Sequence, residues 1–149
     1  PGWEPVIERD IDGERSETLE LENKEPRFGS IAAARKVART LFLGTAPSSG
    51  STKPGLRGQD RGRVLLGCIQ PGQTAATYQD ALNRLVDRLH FLTATGDKSV
   101  DSTRYWFDTR ANLRREMEDR KARFDEKKEV VIHKRNPMKQ AKAKAKGKG

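Results

Sequence analysis

Phe28-Gly29-Ser30-Ile31-Ala32-Ala33-Ala34-Arg35-Lys36-Val37-Ala38-Arg39-Thr40-Leu41-Phe42-Leu43-Gly44-Thr45-Ala46-Pro47 reads as a helix with a start, a body and a stop. Ser30 is placed to cap the first turn by accepting a backbone N–H. Gly44 stands where a left-handed residue closes a helix, and Pro47 blocks a restart. Ile31, Ala34, Ala38, Leu41 and Phe42 then share one face. Arg35 and Arg39 are four residues apart and project from the same side of an otherwise small, apolar helix. Two readings of this pair stand open: solvated surface charge, or guanidinium groups held toward phosphate.

Working outward, a second helix follows. Thr77-Tyr78-Gln79-Asp80 matches a capping box, in which hydroxyl and carboxylate each satisfy an orphan backbone N–H. Tyr78, Leu82, Leu85, Leu89 and Leu92 continue it as one apolar stripe, with Thr95-Gly96 as the stop. His90 lies beside the stripe and reads as structural. Val64 to Ile69 is a short apolar strand or a buried helical turn, closed by Pro71-Gly72. Arg104-Tyr105-Trp106-Phe107-Asp108-Thr109 has the aromatic composition of a strand. Thr109 is placed to cap a further helix with Leu113, Met117 and Phe124 on one side and Arg114, Arg115, Arg120, Lys121 and Arg123 on the other. Upstream, Asp12-Gly13 between Ile11 and Leu19 signals a hairpin, although an irregular acidic lead-in fits the thin apolar content equally well. The expected fold is therefore mainly α with a small β component. Its parts are an acidic lead-in or hairpin over 1–25, a helical, winged-helix-like domain over 26–126 and a basic disordered tail over 127–149.

The charge is unevenly spread. Of the net +9, residues 1–25 carry −6 and residues 134–149 carry +7, which leaves +8 on residues 26–133. A folded part that is basic on its own suits a polyanion such as nucleic acid, with DNA foremost. Arg57, Arg61, Arg63, Arg104, Arg110, Arg114 and Arg115 are the candidate phosphate contacts in the folded part. Lys139, Lys142, Lys144, Lys146 and Lys148 are those of the Lys/Ala/Gly tail, whose binding would be salt-dependent and blind to sequence. Solvated loop charge and a solubilising end are the bland alternatives for these two groups.

Several chemistries find no support. Cys68 is the single cysteine, so an internal disulfide and a cysteine-based metal site are both excluded; within Val64-Leu65-Leu66-Gly67-Cys68-Ile69 it reads as a small buried hydrophobe in a reducing, cytoplasmic setting. Gly44 to Ser51 is not a phosphate loop of the G-x-x-x-x-G-K-[ST] type, since the glycines are wrongly spaced and Ser51, not lysine, follows Gly50. Asp97 and Asp101 sit in a Ser/Gly loop and read as turn residues. Neither a catalytic set nor a metal site is expected. No apolar run approaches the ~20 residues that cross a bilayer, so no membrane partner is expected. The beginning Pro1-Gly2-Trp3, without Met, suggests a piece of a longer protein, although Met removal before a small residue would look the same.

Four blocks taken together resemble one family. They are Arg35 to Pro47, Leu66-Gly67-Cys68-Ile69-Gln70-Pro71-Gly72, Asp80-Ala81-Leu82-Asn83-Arg84-Leu85, and Arg104 to Thr109 followed by Asn112-Leu113. In order and rough spacing they are similar to the C-terminal half of the large AAA+-type ATPases of prokaryotic phage-defence loci, of the phage-growth-limitation and BREX type. The likeness spans about Trp3 to Arg120 and leaves out the basic tail. It implies a segment downstream of the nucleotide-binding core: a helical lid, whose sensor arginine would be Arg35 or Arg39, and a winged-helix-like module. The Walker A and Walker B parts are missing, so the resemblance implies no ATP hydrolysis by this chain alone and no cofactor within it, with ATP and Mg belonging to the parent. The implied partners are nucleic acid and the remaining ATPase or other defence subunits. Two functions follow: a nucleic-acid-binding accessory module, or a lid and oligomer-contact module supplying an arginine to nucleotide phosphates.

Overall fold

The computed structural model describes residues 2–48 and 57–125. Two compact units are distinguished, Pro1–Arg115 and Glu116–Gly149. In the second, residues 116–125 are helical, with Met117 and Phe124 exposed.

The first unit is mainly helical with one small antiparallel sheet, as expected from the sequence. Its helices are α1 (Glu4–Val6), a π-helical turn over Ile7–Asp12, α2 (Glu17–Lys24), α3 (Pro26–Gly29), α4 (Ala33–Thr45), α5 (Arg61–Cys68) and α6 (Ala75–Arg88). The strands are β1 (Gln59–Asp60), β2 (Leu92–Ala94) and β3 (Arg104–Phe107), in the order β1-β3-β2. Residues 113–115 are helical.

The central element is α4. Ala33, Ala34, Val37, Ala38 and Leu41 have no exposed surface, and each side chain of the size of Val37 or Leu41 buried in this way contributes about 1.5–3 kcal/mol. Small residues let α2, α5 and α6 approach the α4 backbone closely. The face read from the sequence is the one buried, with Ile31 and Phe42 at its margin.

The ends of α4 differ from expectation. Ser30 does not cap it; its hydroxyl donates to the Arg27 carbonyl, and Ala32 occupies the cap position at φ 51 without a side-chain acceptor. Gly44 does not end it either, because the helix runs on to Thr45 and a 3₁₀ turn covers Ala46–Ser48. Gly44 answers a close approach instead: a Cβ there would fall 1.8 Å from the Gln59 side chain.

Three other expectations are corrected. The hairpin around Asp12-Gly13 is absent. The segment is helical on both sides of Gly13, with Val6 and Asp10 before it, and Thr18 with Leu21 and Glu22 after it, buried at steps of three or four. The cap of α6 is Thr74, one turn before the capping box read from sequence; Thr77 lies inside the first turn, with its hydroxyl 3.3 Å from that of Thr74. The apolar stripe is buried along its whole length, but α6 ends at Arg88 and Leu92 belongs to β2. The short apolar run 64–69 is helical through Cys68 in α5, with Val64 and Cys68 buried but Leu66 and Ile69 exposed, and the carboxylate of its cap residue Asp60 accepts from Arg63 N.

The sheet presents one face to the helices. Tyr105 and Phe107 are fully buried, and Phe107 meets Phe42 edge-on at 6.2 Å; Phe42 in turn meets Trp3 at 5.3 Å. Arg104 and Trp106 alternate with them and so point to the other face. Cys68 is buried as expected. Its thiol lies 3.3 Å from the Thr40 hydroxyl, and burial raises its pKa.

Candidate nucleic-acid interface

The outer side of the sheet gathers residues distant in sequence. Trp106 lies between Thr93 on β2 and Gly58, which precedes β1. Gly58 has φ +84, and a Cβ there would stand 2.8 Å from the Tyr105 carbonyl and 3.1 Å from the Trp106 ring. Only a glycine lets the chain enter β1 against β3 in this way.

Two arginines frame the tryptophan. The guanidinium of Arg57 lies over the Trp106 ring, 5.1 Å from its centroid, and donates to Asp108 Oδ2 at 2.7 Å. Arg104 donates from Nε to the Arg57 carbonyl at 2.9 Å and from Nη2 to the Gly58 carbonyl at 2.6 Å. These acceptors are neutral, so they orient the Arg104 charge without cancelling it. The Nε atoms of Arg57 and Arg61 are buried and meet no acceptor among the described residues.

Further charge lies on either side in sequence. Arg61 donates to the Lys98 carbonyl and sits 3.5 Å from the exposed Asp101 carboxylate. Arg63 is 70% exposed and only loosely paired with Asp60 at 3.8 Å. Arg110 is exposed beyond β3, with its backbone N–H on Asp108 Oδ1. Arg114 is exposed and Arg115 half-buried at the end of the first unit. Lys139, Lys142, Lys144, Lys146 and Lys148 lie outside the described residues.

Arg35 and Arg39 are engaged elsewhere. Glu22, 2% exposed at its side chain, takes the Arg35 backbone N–H at 2.9 Å and its Nε at 2.8 Å. Arg39 grips Asp12 through Nε at 2.8 Å and Nη2 at 2.5 Å, and this pairing raises its pKa. On α6, Arg88 reaches Glu17 and Arg84 reaches Glu25, each at 2.8 Å or less. Asp12, Glu17, Glu20, Glu22 and Glu25 of the acidic segment are thus engaged by arginines of α4 and α6.

The sequence names Arg57 and Arg104 as candidate phosphate contacts but not Trp106, which reads there only as part of an aromatic strand. The missed signal was the period-two alternation of Arg104-Tyr105-Trp106-Phe107, which puts Trp106 on the side of Arg104. The pairing of Asp12 and Glu22 with Arg39 and Arg35 had no local signal, because it joins residues 27 and 13 positions apart.

Asp97 behaves as the turn residue expected: its side chain accepts from Ser99 N at 2.7 Å, and hydrogen bonding to Ser99 lowers its pKa. Among the described residues, no group of His, Cys, Asp or Glu is arranged to hold a metal ion, and no helix is long and apolar enough to cross a membrane. Comparison with family models, with curated proteins and with solved structures finds no match.

Proposed function

We propose that this chain is a nucleic-acid-binding accessory module of a cytoplasmic phage-defence ATPase, and that it leaves hydrolysis to the nucleotide-binding part of that system. The observation that carries the binding role is the meeting of Arg57 and Arg104 on the outer side of the sheet, with Arg61, Arg63 and Arg110 close to them in sequence. Among the described residues, the carboxylates paired with these five cations are Asp60, Asp101 and Asp108, so positive charge is left over there. Phosphate contacts of this kind position a nucleic acid without reading its bases. The lysines of residues 139–148 add sequence-blind affinity. The link to a defence ATPase rests on the resemblance of the four sequence blocks.

The lid reading, in which Arg35 or Arg39 reaches nucleotide phosphates, requires each guanidinium to leave a carboxylate. For Arg35 that would strand Glu22 as a buried unpaired charge, a costly arrangement. The geometry favours the sheet.

A gel-shift salt series against duplex DNA, single-stranded DNA and RNA tests the proposal. Binding should weaken steeply with salt, and Arg63→Gln with Arg110→Gln should lower the log–log slope by about 0.7–0.9 per lost contact. No binding to any of the three at low salt would end the proposal. Binding with an unchanged slope would end the assignment of Arg63 and Arg110.

A further inference from the structure

We propose that the outer face of the sheet is a stacking platform for an unpaired nucleobase, with Trp106 as the ring and Arg57 as its placeholder in the free protein. This rests on the nucleic-acid reading above and narrows its ligand to single strands.

The backbone fixes where the ring stands. Trp106 belongs to the central strand, where it pairs with Thr93 of β2, and its neighbours Arg104 and Tyr105 pair with β1. Its cross-strand neighbours are small: Thr93 on β2, and at Gly58 no side chain at all. Gly58 must lack a side chain because a Cβ there would crowd the Tyr105 carbonyl and the ring itself, and on this flank the Arg104 side chain reaches the Gly58 carbonyl.

Arg57 covers the ring in a way that can be reversed. Trp106 is half-buried with the Arg57 guanidinium over it. A base stacked on an aromatic side chain is a contact at least comparable to a cation over the ring, so it can take the place of the guanidinium. The guanidinium that leaves is already oriented by Asp108 at 2.7 Å, and its buried Nε has no acceptor to give up among the described residues. It remains beside the ring, where a phosphate of the same strand can receive it. Arg104, which among the described residues donates to the Arg57 and Gly58 carbonyls and pairs across the strands with Asp60, lies next to it.

Charge complementarity and the aromatic together select the occupant. A duplex keeps its base faces inside the stack and offers only its backbone. A single strand offers both a base face and phosphates.

The test uses the whole chain carrying Trp3→Phe, which leaves Trp106 as the one remaining tryptophan of the two. Three probes are titrated: oligothymidylate of about 12 nucleotides, within the range of sheet-based strand sites, an abasic strand of equal length, and a duplex. Trp106 emission should be quenched by oligothymidylate and not by the abasic strand. Trp106→Ala should weaken oligothymidylate binding roughly 10-fold or more, and Trp106→Phe should restore most of it. Abasic and duplex binding should change little.

The outcomes separate the two ideas. If Trp106→Ala and the parent bind oligothymidylate alike, while Arg63→Gln with Arg110→Gln weakens every probe, the platform is lost and nucleic-acid binding stands. Equal weakening of all three probes by Trp106→Ala also removes the platform. Should that variant misfold by circular dichroism, the quenching experiment decides: no quenching by a bound oligothymidylate overturns the platform. If none of the probes binds, both ideas fall.

Discussion

Asp10 is the residue whose environment departs most from that of an ordinary surface side chain. It is fully buried in the π-helical turn, where Oδ2 accepts from Phe91 N at 2.7 Å and Oδ1 has no partner among the described residues. Burial, the largest influence, raises its pKa; the backbone N–H groups of Phe91 and His90 and the charge of His90 oppose this, and Glu17 adds to it. The folded pKa then exceeds the unfolded value of about 3.9, so the native state binds the extra proton. The stability linked to this group is present below the unfolded pKa and lost as pH rises through the folded one. Asp10→Asn keeps an acceptor for Phe91 N and removes the buried charge. Its stability relative to the parent should therefore improve as pH is raised from about 4 to 7 in urea unfolding. Asp10→Ala should lose about 1–3 kcal/mol, because it orphans a buried N–H. Equal losses in both variants at pH 7 would show that the carboxylate charge itself is needed. At Gly58, φ +84 and the 2.8 Å approach to the Tyr105 carbonyl combine. Gly58→Ala should cost about 1–3 kcal/mol in thermal or urea unfolding; a variant as stable as the parent would contradict the close pairing of β1 with β3.

Among the elements, α4 is unusual in taking its cap from another helix. Ala32 offers no side-chain acceptor, yet the third amide of α4, that of Arg35, is answered by Glu22 of α2. The same carboxylate binds Arg35 Nε, so one buried group closes a helix end and joins two elements. Glu22→Ala should therefore cost about 2–3 kcal/mol, the scale of a charge-assisted hydrogen bond lost from a buried site. Glu22→Gln, which keeps an acceptor for the amide, should lose about half as much. Urea unfolding reads both, and accelerated exchange of the Arg35 amide in the alanine variant would localise the loss; unchanged exchange would refute the capping role. The body of α4 was legible in the sequence because a helical face repeats every three to four residues. Its cap was not, because the acceptor lies 13 residues upstream and local pattern pointed to Ser30. The end of α6 failed similarly: Leu89 and Leu92 keep the helical period, but both are buried after the backbone has turned extended at Leu89. Periodicity reports which residues face the core, and a strand that follows a helix against the same core preserves that report.

Across the whole molecule, charge is divided by use. The acidic first 25 residues hold arginines of α4 and α6 in place, while the sheet arginines keep a positive remainder and residues 134–149 carry +7. On the proposed reading, two sources of nucleic-acid affinity differ in kind. Cationic tail residues would act by releasing counterions, a salt-dependent term blind to strand type. Trp106 would act through a base face, which depends on strand type and hardly on salt. Removing residues 126–149 should consequently lower affinity for duplex and single strand alike and reduce the salt slope, by about 0.7–0.9 for each lysine that had been in contact. The preference for single strand over duplex should survive. Trp106→Ala should do the reverse, leaving the slope and erasing the preference. In the double variant the two effects on binding free energy should add, since sites without shared partners add within about 0.5 kcal/mol. Parallel salt series on the four proteins measure this. Loss of strand preference on truncation alone would place base recognition in residues 126–149 and leave Trp106 a structural residue of the sheet.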